Sequence, residues 1–150
     1  MKHFPKFITI TQRVNKLYQL KAHPVCEKYS ITQAEFDILA FLRNNPEFDT
    51  AKDICDIRML KKSIVSQSID KLVKKNYIEK SYDKNDRRLL HLHIMPEAES
   101  CVFEIVSSQK AFYEELLSCL SIEQRAEFFT SLESLGKNID DIYNKEILGR

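Results

Sequence analysis

The sequence predicts a mainly α-helical chain that carries one small β-hairpin. Three observations predict it. Only two glycines, Gly136 and Gly149, and four prolines occur in 150 residues, too few for the tight turns of a many-stranded sheet. Apolar residues recur at a helical spacing along most of the chain and switch to alternation over residues 77–94. Residues that start helices or turn the chain stand where the period changes. A chain of this length, 43% hydrophobic and 30% charged, buries a core without help from disulfides or metal.

The elements follow in order. Phe7, Ile10, Val14, Leu17 and Leu20, with Tyr18 beside them, give an amphipathic helix from Phe4 to about Lys21. Pro24 is expected to interrupt it, with a short turn of helix on to Tyr29. Thr32 with Glu35 forms a capping box that starts a second helix over Gln33–Arg43, and Ile31 and Phe36 are placed to staple it. Asn44-Asn45-Pro46 stops that helix. Thr50 with Asp53 starts a third helix, Ala51–Arg58. A fourth runs over Lys62–Lys75 and buries Val65, Ile69, Leu72 and Val73, with Asn76 suited to the left-handed residue that ends it. Tyr77–Tyr82 reads as a strand, Asp83-Lys84-Asn85-Asp86 as a turn, and Leu89–Ile94 as a second strand with one apolar face. Pro96 suits the first turn of the next helix, and Ser121 with Gln124 caps the last. Both of these C-terminal helices are expected to approach 25 residues.

Net charge is only +1, yet it is unevenly spread: +2 over residues 1–50, +5 over 51–96 and −6 over 97–150. A basic middle and an acidic end point to an anionic partner for the middle. With no glycine before residue 136, a glycine-rich phosphate loop is excluded there. No nucleophile, base and oxyanion set emerges, so an enzyme is not expected, and neither is a cofactor. The longest uninterrupted apolar stretch, Ile38–Leu42, is far short of a membrane span, which leads us to expect a cytoplasmic protein. Cys26, Cys55, Cys101 and Cys119 show no CxxC spacing and read as reduced thiols.

The basic middle thus reads as helix, turn, helix, strand, charged turn, strand. Its second helix shows Lys62, Ser63, Ser66, Gln67, Lys71 and Lys74, with Asp70 among them, opposite the apolar face. Small hydroxyl residues let a helix approach a groove closely. Gln67 offers a paired donor and acceptor to an adenine edge, and the lysines suit phosphate oxygens. The hairpin tip adds Lys84, Arg87 and Arg88, and an arginine on a narrow loop suits the strongly negative DNA minor groove. One element reading the major groove while the other clamps beside it is the logic of a winged helix.

These residues resemble the MarR-type winged-helix transcriptional regulators. Lys62-Ser63-Ile64-Val65-Ser66-Gln67-Ser68-Ile69-Asp70-Lys71-Leu72 is similar to the family's K-S-T-V-S-R-x-x-D-x-L helix, and Asp83-Lys84-Asn85-Asp86-Arg87-Arg88 to its D-x-x-D-x-R wing. The resemblance covers nearly the whole chain. It implies one subunit over 1–150, with a winged-helix DNA-binding lobe over 32–96 and dimerisation helices over 1–29 and 97–150. It further implies a homodimer on a palindromic double-stranded DNA site, with Ser63, Ser66, Gln67 and Lys71 facing DNA and Arg88 in the minor groove. Asp70 matches an acidic position that often pairs with the wing arginine, which makes Asp70 and Arg88 an expected structural pair. A small aromatic effector bound beside the dimer helices, lowering operator affinity as in a ligand-responsive repressor, is also implied. The sequence departs from the pattern at Gln67, where arginine is usual, at Asn76, where glycine is usual, and at Cys55 and Arg58.

Plainer readings stand beside these. The basic middle can be an ordinary solvated face of a protein-interaction module without a specific operator; a steep fall of DNA affinity with salt would separate the two. His91 and His93 share a strand face, but no third ligand is evident, so surface histidines are expected rather than a metal site. Cys26 near the end of the first helix is the most exposed-looking candidate for a thiol switch. Cys101 and Cys119, if on one helix, are about 27 Å apart at its rise, too far for a disulfide. Phe7, Tyr18, Phe36, Phe103, Phe112 and Tyr113 are expected mostly in the core, some lining an effector cleft.

Overall fold

A computed structural model describes residues 4–86 and 88–147. The elements are α1 (Phe4–Tyr29), α2 (Gln33–Asn44), α3 (Ala51–Arg58), α4 (Lys62–Lys74), β1 (Ile78–Tyr82), β2 (Leu90–Ile94), one 3-10 turn (Pro96–Ala98), α5 (Glu99–Leu116) and α6 (Ile122–Ile147). The fold is mainly helical with one two-stranded antiparallel sheet, as the sequence predicts. The chain divides into two compact units, one ending at Phe112 and one beginning at Tyr113.

The helix starts are built as their residues dictate. The Thr32 hydroxyl accepts from the Glu35 amide while the Glu35 carboxylate accepts from the Thr32 amide, so two otherwise unpaired donors at the start of α2 are satisfied together. Thr50 and Asp53 repeat the arrangement at α3, and Ser121 and Gln124 at α6. Asn76 adopts the left-handed conformation (φ 58°) after α4, and the Tyr77 amide then reaches back to the Leu72 carbonyl. Ser30 and Met59 also take left-handed conformations, at the ends of α1 and α3. Both are conformations their side chains do not announce.

Two expectations need correction. Pro24 does not end α1, which runs 26 residues straight through it. The proline removes the amide that would bond the Leu20 carbonyl, and Leu20 lies on the exposed side of the helix. Ala22, Val25 and Cys26 on the same stretch are buried, and that packing holds the helix past the proline. Secondly, α5 has 18 residues rather than about 25. The Ser121 cap restarts the chain as α6, and Arg125 closes the intervening turn by donating to the Leu117 and Leu120 carbonyls. Cys119 therefore lies beyond the end of α5 and shares no helix with Cys101.

The core of the first unit joins every element up to α5. Phe36, Ile38 and Leu39 of α2, Ile54 of α3, Val65 and Leu72 of α4, Ile78 of β1 and Ile105 of α5 are fully buried. The buried face of α4 is Val65, Ser68, Ile69 and Leu72, with Val73 half-buried. In β2, Leu92 is buried and His93 is exposed, the alternation expected of a sheet with one wet face. The α6 helix contrasts with all of these, since none of its described residues is buried. Its Phe128, Phe129, Leu132, Leu135, Ile139 and Ile142 are all exposed.

Candidate nucleic-acid interface

The α4 helix follows α3 after a left-handed Met59 and stands with its apolar side on α2 and α3. Its other side carries Lys62, Ser63, Ser66, Gln67, Lys71 and Lys74, and every one of them is exposed. Its N-cap residue, Lys61, makes no side-chain cap hydrogen bond. The partial positive charge of that helix end is thus not offset by a capping oxygen. Lys71 leans toward the buried carboxylate of Glu35, 4.0 Å away, so it shares its charge between the lobe and solvent.

The hairpin pairs Ile78 with Ile94 at its base and Tyr82 with Leu90 at its far end. Beyond it, the Asp83 carboxylate accepts from the Asn85 and Asp86 amides at 2.7 and 2.9 Å and shapes the tip. Those bonds to backbone amides hold the Asp83 carboxyl below the usual carboxylate range. Lys84 and Arg88 are exposed on this tip. Arg87 lies outside the described residues.

The expected pairing of Asp70 with Arg88 is not what forms. Asp70 accepts from Lys80 of β1 at 2.6 Å, and that bond lowers its pKa. The physical reason is proximity along the chain: β1 follows α4 through a single tight turn, which sets the middle of β1 beside the last turns of α4. Arg88 sits past the far end of the strand. The pair ties hairpin to helix from an exposed position, so it serves orientation more than stability.

His91 is not a plain surface histidine. Its Nδ1 lies 2.6 Å from Asp49 Oδ1 and its Nε2 lies 3.3 Å from Asp83 Oδ2. Asp49 belongs to the loop before α3, whose backbone runs along the free edge of β2: the Leu92 amide donates to the Asp49 carbonyl at 2.8 Å, and Thr50 bridges to His91. The two carboxylates raise the imidazole pKa, Asp49 foremost. They sit on opposite ring nitrogens, and no group of three or more His, Cys, Asp or Glu among the described residues is arranged to hold a metal ion. Sequence spacing could not show this trio, because Asp49 is 42 positions from His91.

A second polar node was equally invisible. Asp37 of α2 accepts from Gln33 at 3.1 Å and Tyr18 of α1 at 3.3 Å, and pairs with Arg58 of α3 at 3.4 Å. Gln109 of α5 donates to the Tyr18 hydroxyl at 2.8 Å. Burial raises the pKa of both Asp37 and Tyr18. Three helices of the first unit thus meet at one carboxylate, α5 joins them through Tyr18, and Arg58, which departs from the family's apolar preference, has a partner there. Around it Phe36 and Phe112 are buried and meet Tyr18 edge-on, at 6.0 and 5.5 Å between centroids, whereas Phe7, Phe103 and Tyr113 are exposed.

Cys26 and Cys101 are poorly placed for a thiol switch. Cys26 is buried rather than exposed, and burial pushes its thiol up to about 11; Cys101 is likewise buried and pushed up to about 11. A thiol held protonated is a poor nucleophile toward oxidants.

A helix-turn-helix whose second helix shows a polar, basic face, followed by a hairpin with a cationic tip, defines a winged-helix DNA-binding protein. Residues 29–89 match the sequence model of the MarR family. Among relatives, the HTH-type transcriptional repressor MdtR of Bacillus subtilis is 29% identical over 98 residues, covering 65% of this chain and 63% of MdtR. The crystal structure of a MarR transcriptional regulator from Methanosarcina mazei Go1 superimposes with a TM-score of 0.76 at 23% identity, covering 91% of this chain and 99% of that one. BpsR of Bordetella bronchiseptica, whose DNA binding is regulated by 6-hydroxynicotinic acid, gives a TM-score of 0.69 at 18% identity, covering 87% and 98%.

Proposed function

We propose that the chain is a ligand-responsive repressor that binds a palindromic operator as a homodimer in the cytoplasm. Residues 32–96 form the DNA-binding lobe, and residues 1–29 and 97–150 supply the dimerisation helices. The observation that carries the reading is the exposed face of α4 beside a cationic hairpin tip. Ser63, Ser66 and Gln67 read the major groove; Lys62 and Lys71 hold phosphates; Lys84, Arg87 and Arg88 clamp the neighbouring minor groove.

The homodimer is supported by apolar surface that the subunit leaves uncovered. On α1, Phe7, Ile10, Leu17 and Leu20 are exposed, and α6 exposes a full-length apolar stripe. Exposed apolar surface on this scale marks an interaction site. A two-fold axis would cover both helices and present two α4 helices to successive major grooves, about 34–36 Å apart. Repression is the function in the name of MdtR, and ligand control is the behaviour reported for BpsR. A small aromatic effector here acts by binding one arrangement of the two lobes better than another, since only differential affinity shifts the equilibrium. No described helix is long and apolar enough to cross a membrane.

The direct test is a salt titration of duplex binding. With six to ten phosphate contacts, affinity falls about 10³–10⁵-fold between about 50 and 200 mM salt. Affinity that is flat across that range, or no duplex binding at all, would favour the protein-interaction module instead.

A further inference from the structure

We propose that His91 is a protonation-dependent positioning residue for the hairpin tip: as an imidazolium it fastens Asp83, where the tip begins, to Asp49 in the loop before α3, and its deprotonation frees the tip and weakens DNA binding. The last step rests on the DNA-binding reading above; the fastening itself does not.

The geometry states the requirement. Asp49 Oδ1 faces one ring nitrogen at 2.6 Å and Asp83 Oδ2 faces the other at 3.3 Å. An ionised carboxylate only accepts hydrogen bonds, and a neutral imidazole has a single N–H. Only the doubly protonated ring donates to both. On losing a proton the ring keeps the shorter bond to Asp49, and Asp83 is left facing a nitrogen lone pair.

The tip hangs on Asp83. Its other carboxylate oxygen takes the Asn85 and Asp86 amides, and its own amide donates to the Leu89 carbonyl at 3.0 Å. Asn85, Asp86 and Leu89 are therefore held to Asp83 whether or not His91 holds it. What His91 adds is a tether between that unit and the body of the lobe. Without the tether, Lys84 and Arg88 must be ordered on binding, at an entropic cost that the fastened tip avoids.

The surroundings leave the two carboxylates in charge. Opposite His91 on β1 stands Ser81, whose hydroxyl meets His93 Nε2 at 2.7 Å; the His93 ring stacks 6.5 Å away. On α2, Arg43 is taken by Glu99, and on α3, Asp53 is closed on Thr50. Both carboxylates raise the pKa of His91 above the usual value of about 6.5. The sign follows: the tether is complete below about pH 6.5 and is lost as pH rises through the raised value in the folded chain.

The test has two arms on the full chain. By NMR, the His91 ring and the Asn85 and Asp86 amides are followed from about pH 5.5 to 9. We expect the ring to titrate above its usual value and the two amides to move with the same midpoint. Asp49→Asn should bring that midpoint down, a second route should His91→Gln fold poorly. A ring that titrates at its ordinary value, or tip amides indifferent to it, overturns the proposal. In the second arm, duplex affinity at fixed ionic strength should fall about fivefold across the midpoint in the wild type and stay level in His91→Gln. An equal fall in His91→Gln, as His93 or other groups would give, contradicts the proposal. Binding to no duplex at any pH would instead overturn the DNA-binding reading, while the NMR arm still decides the tether.

Discussion

The α4 and α6 helices are both amphipathic, yet they end in opposite circumstances. The apolar side of α4 is covered by α2, α3 and β1, so Val65, Ile69 and Leu72 are at most 3% exposed. Along the apolar side of α6, Leu132, Ile139 and Ile142 are about half exposed, at 48%, 52% and 53%. The difference teaches which helix a single subunit completes. The α4 helix is finished by its own chain and turns its polar face outward. The α6 helix keeps its apolar residues exposed, and the homodimer reading covers them with a second copy.

The sharpest way to break that contrast is to delete equivalent atoms from each helix. Leu72→Ala should cost about 2–5 kcal/mol in urea unfolding, because a fully buried leucine leaves a cavity in a finished core. Leu132→Ala should leave the unfolding of dilute subunit unchanged within about 0.5 kcal/mol. It should nevertheless raise the dimer dissociation constant about tenfold or more in sedimentation, since a two-fold axis removes both copies. Equal losses of fold stability would place Leu132 in a completed core and remove the contrast.

Next in size are the contacts assigned to the polar face. Gln67→Ala should lose about 1–3 kcal/mol of preference at one base position in each half-site while binding elsewhere is kept. A uniform loss over all sequences would reduce Gln67 to positioning the helix. Arg88→Ala should weaken operator binding about tenfold, or about 1.4 kcal/mol, with the dimer intact. Unchanged affinity would separate the hairpin tip from DNA. Smallest is Thr50→Ala, which removes the cap of α3 and should lower stability by about 1 kcal/mol in the same urea titration. The α6 stripe should not register that change at all.

The parts of the molecule legible in sequence are those governed by neighbours a few positions apart. Thr32 with Glu35, Thr50 with Asp53 and Ser121 with Gln124 mark their helices because a capping box is a local exchange of hydrogen bonds. Asn76 is readable for the same reason. The exposed residues of α4 follow from its period alone, so Ser63, Ser66 and Gln67 stand where the pattern places them.

What the sequence hid depends on tertiary partners. Pro24 carries a local signal to stop, and the burial of Ala22, Val25 and Cys26 overrides it. Cys26 looks exposed only if α1 is taken to end before it. Asp70 pairs with Lys80, a choice made by how β1 returns beside α4 and not by residue type. Asp49 and His91 come together from 42 positions apart, and Tyr18 and Gln109 from 91, distances at which no periodicity speaks. Arginines and serines announce a binding face; the groups that hold the face in place do not announce themselves.

The most direct trial of the account is to enrich random duplex DNA on the purified full chain and read the selected sequences. Two copies of α4 held by the long helices should recover an inverted repeat whose half-site centres lie about 10–10.5 base pairs, or a multiple, apart. Recovery of a lone half-site without symmetry, or of no sequence above background, would contradict a two-fold winged helix that reads its operator through both grooves.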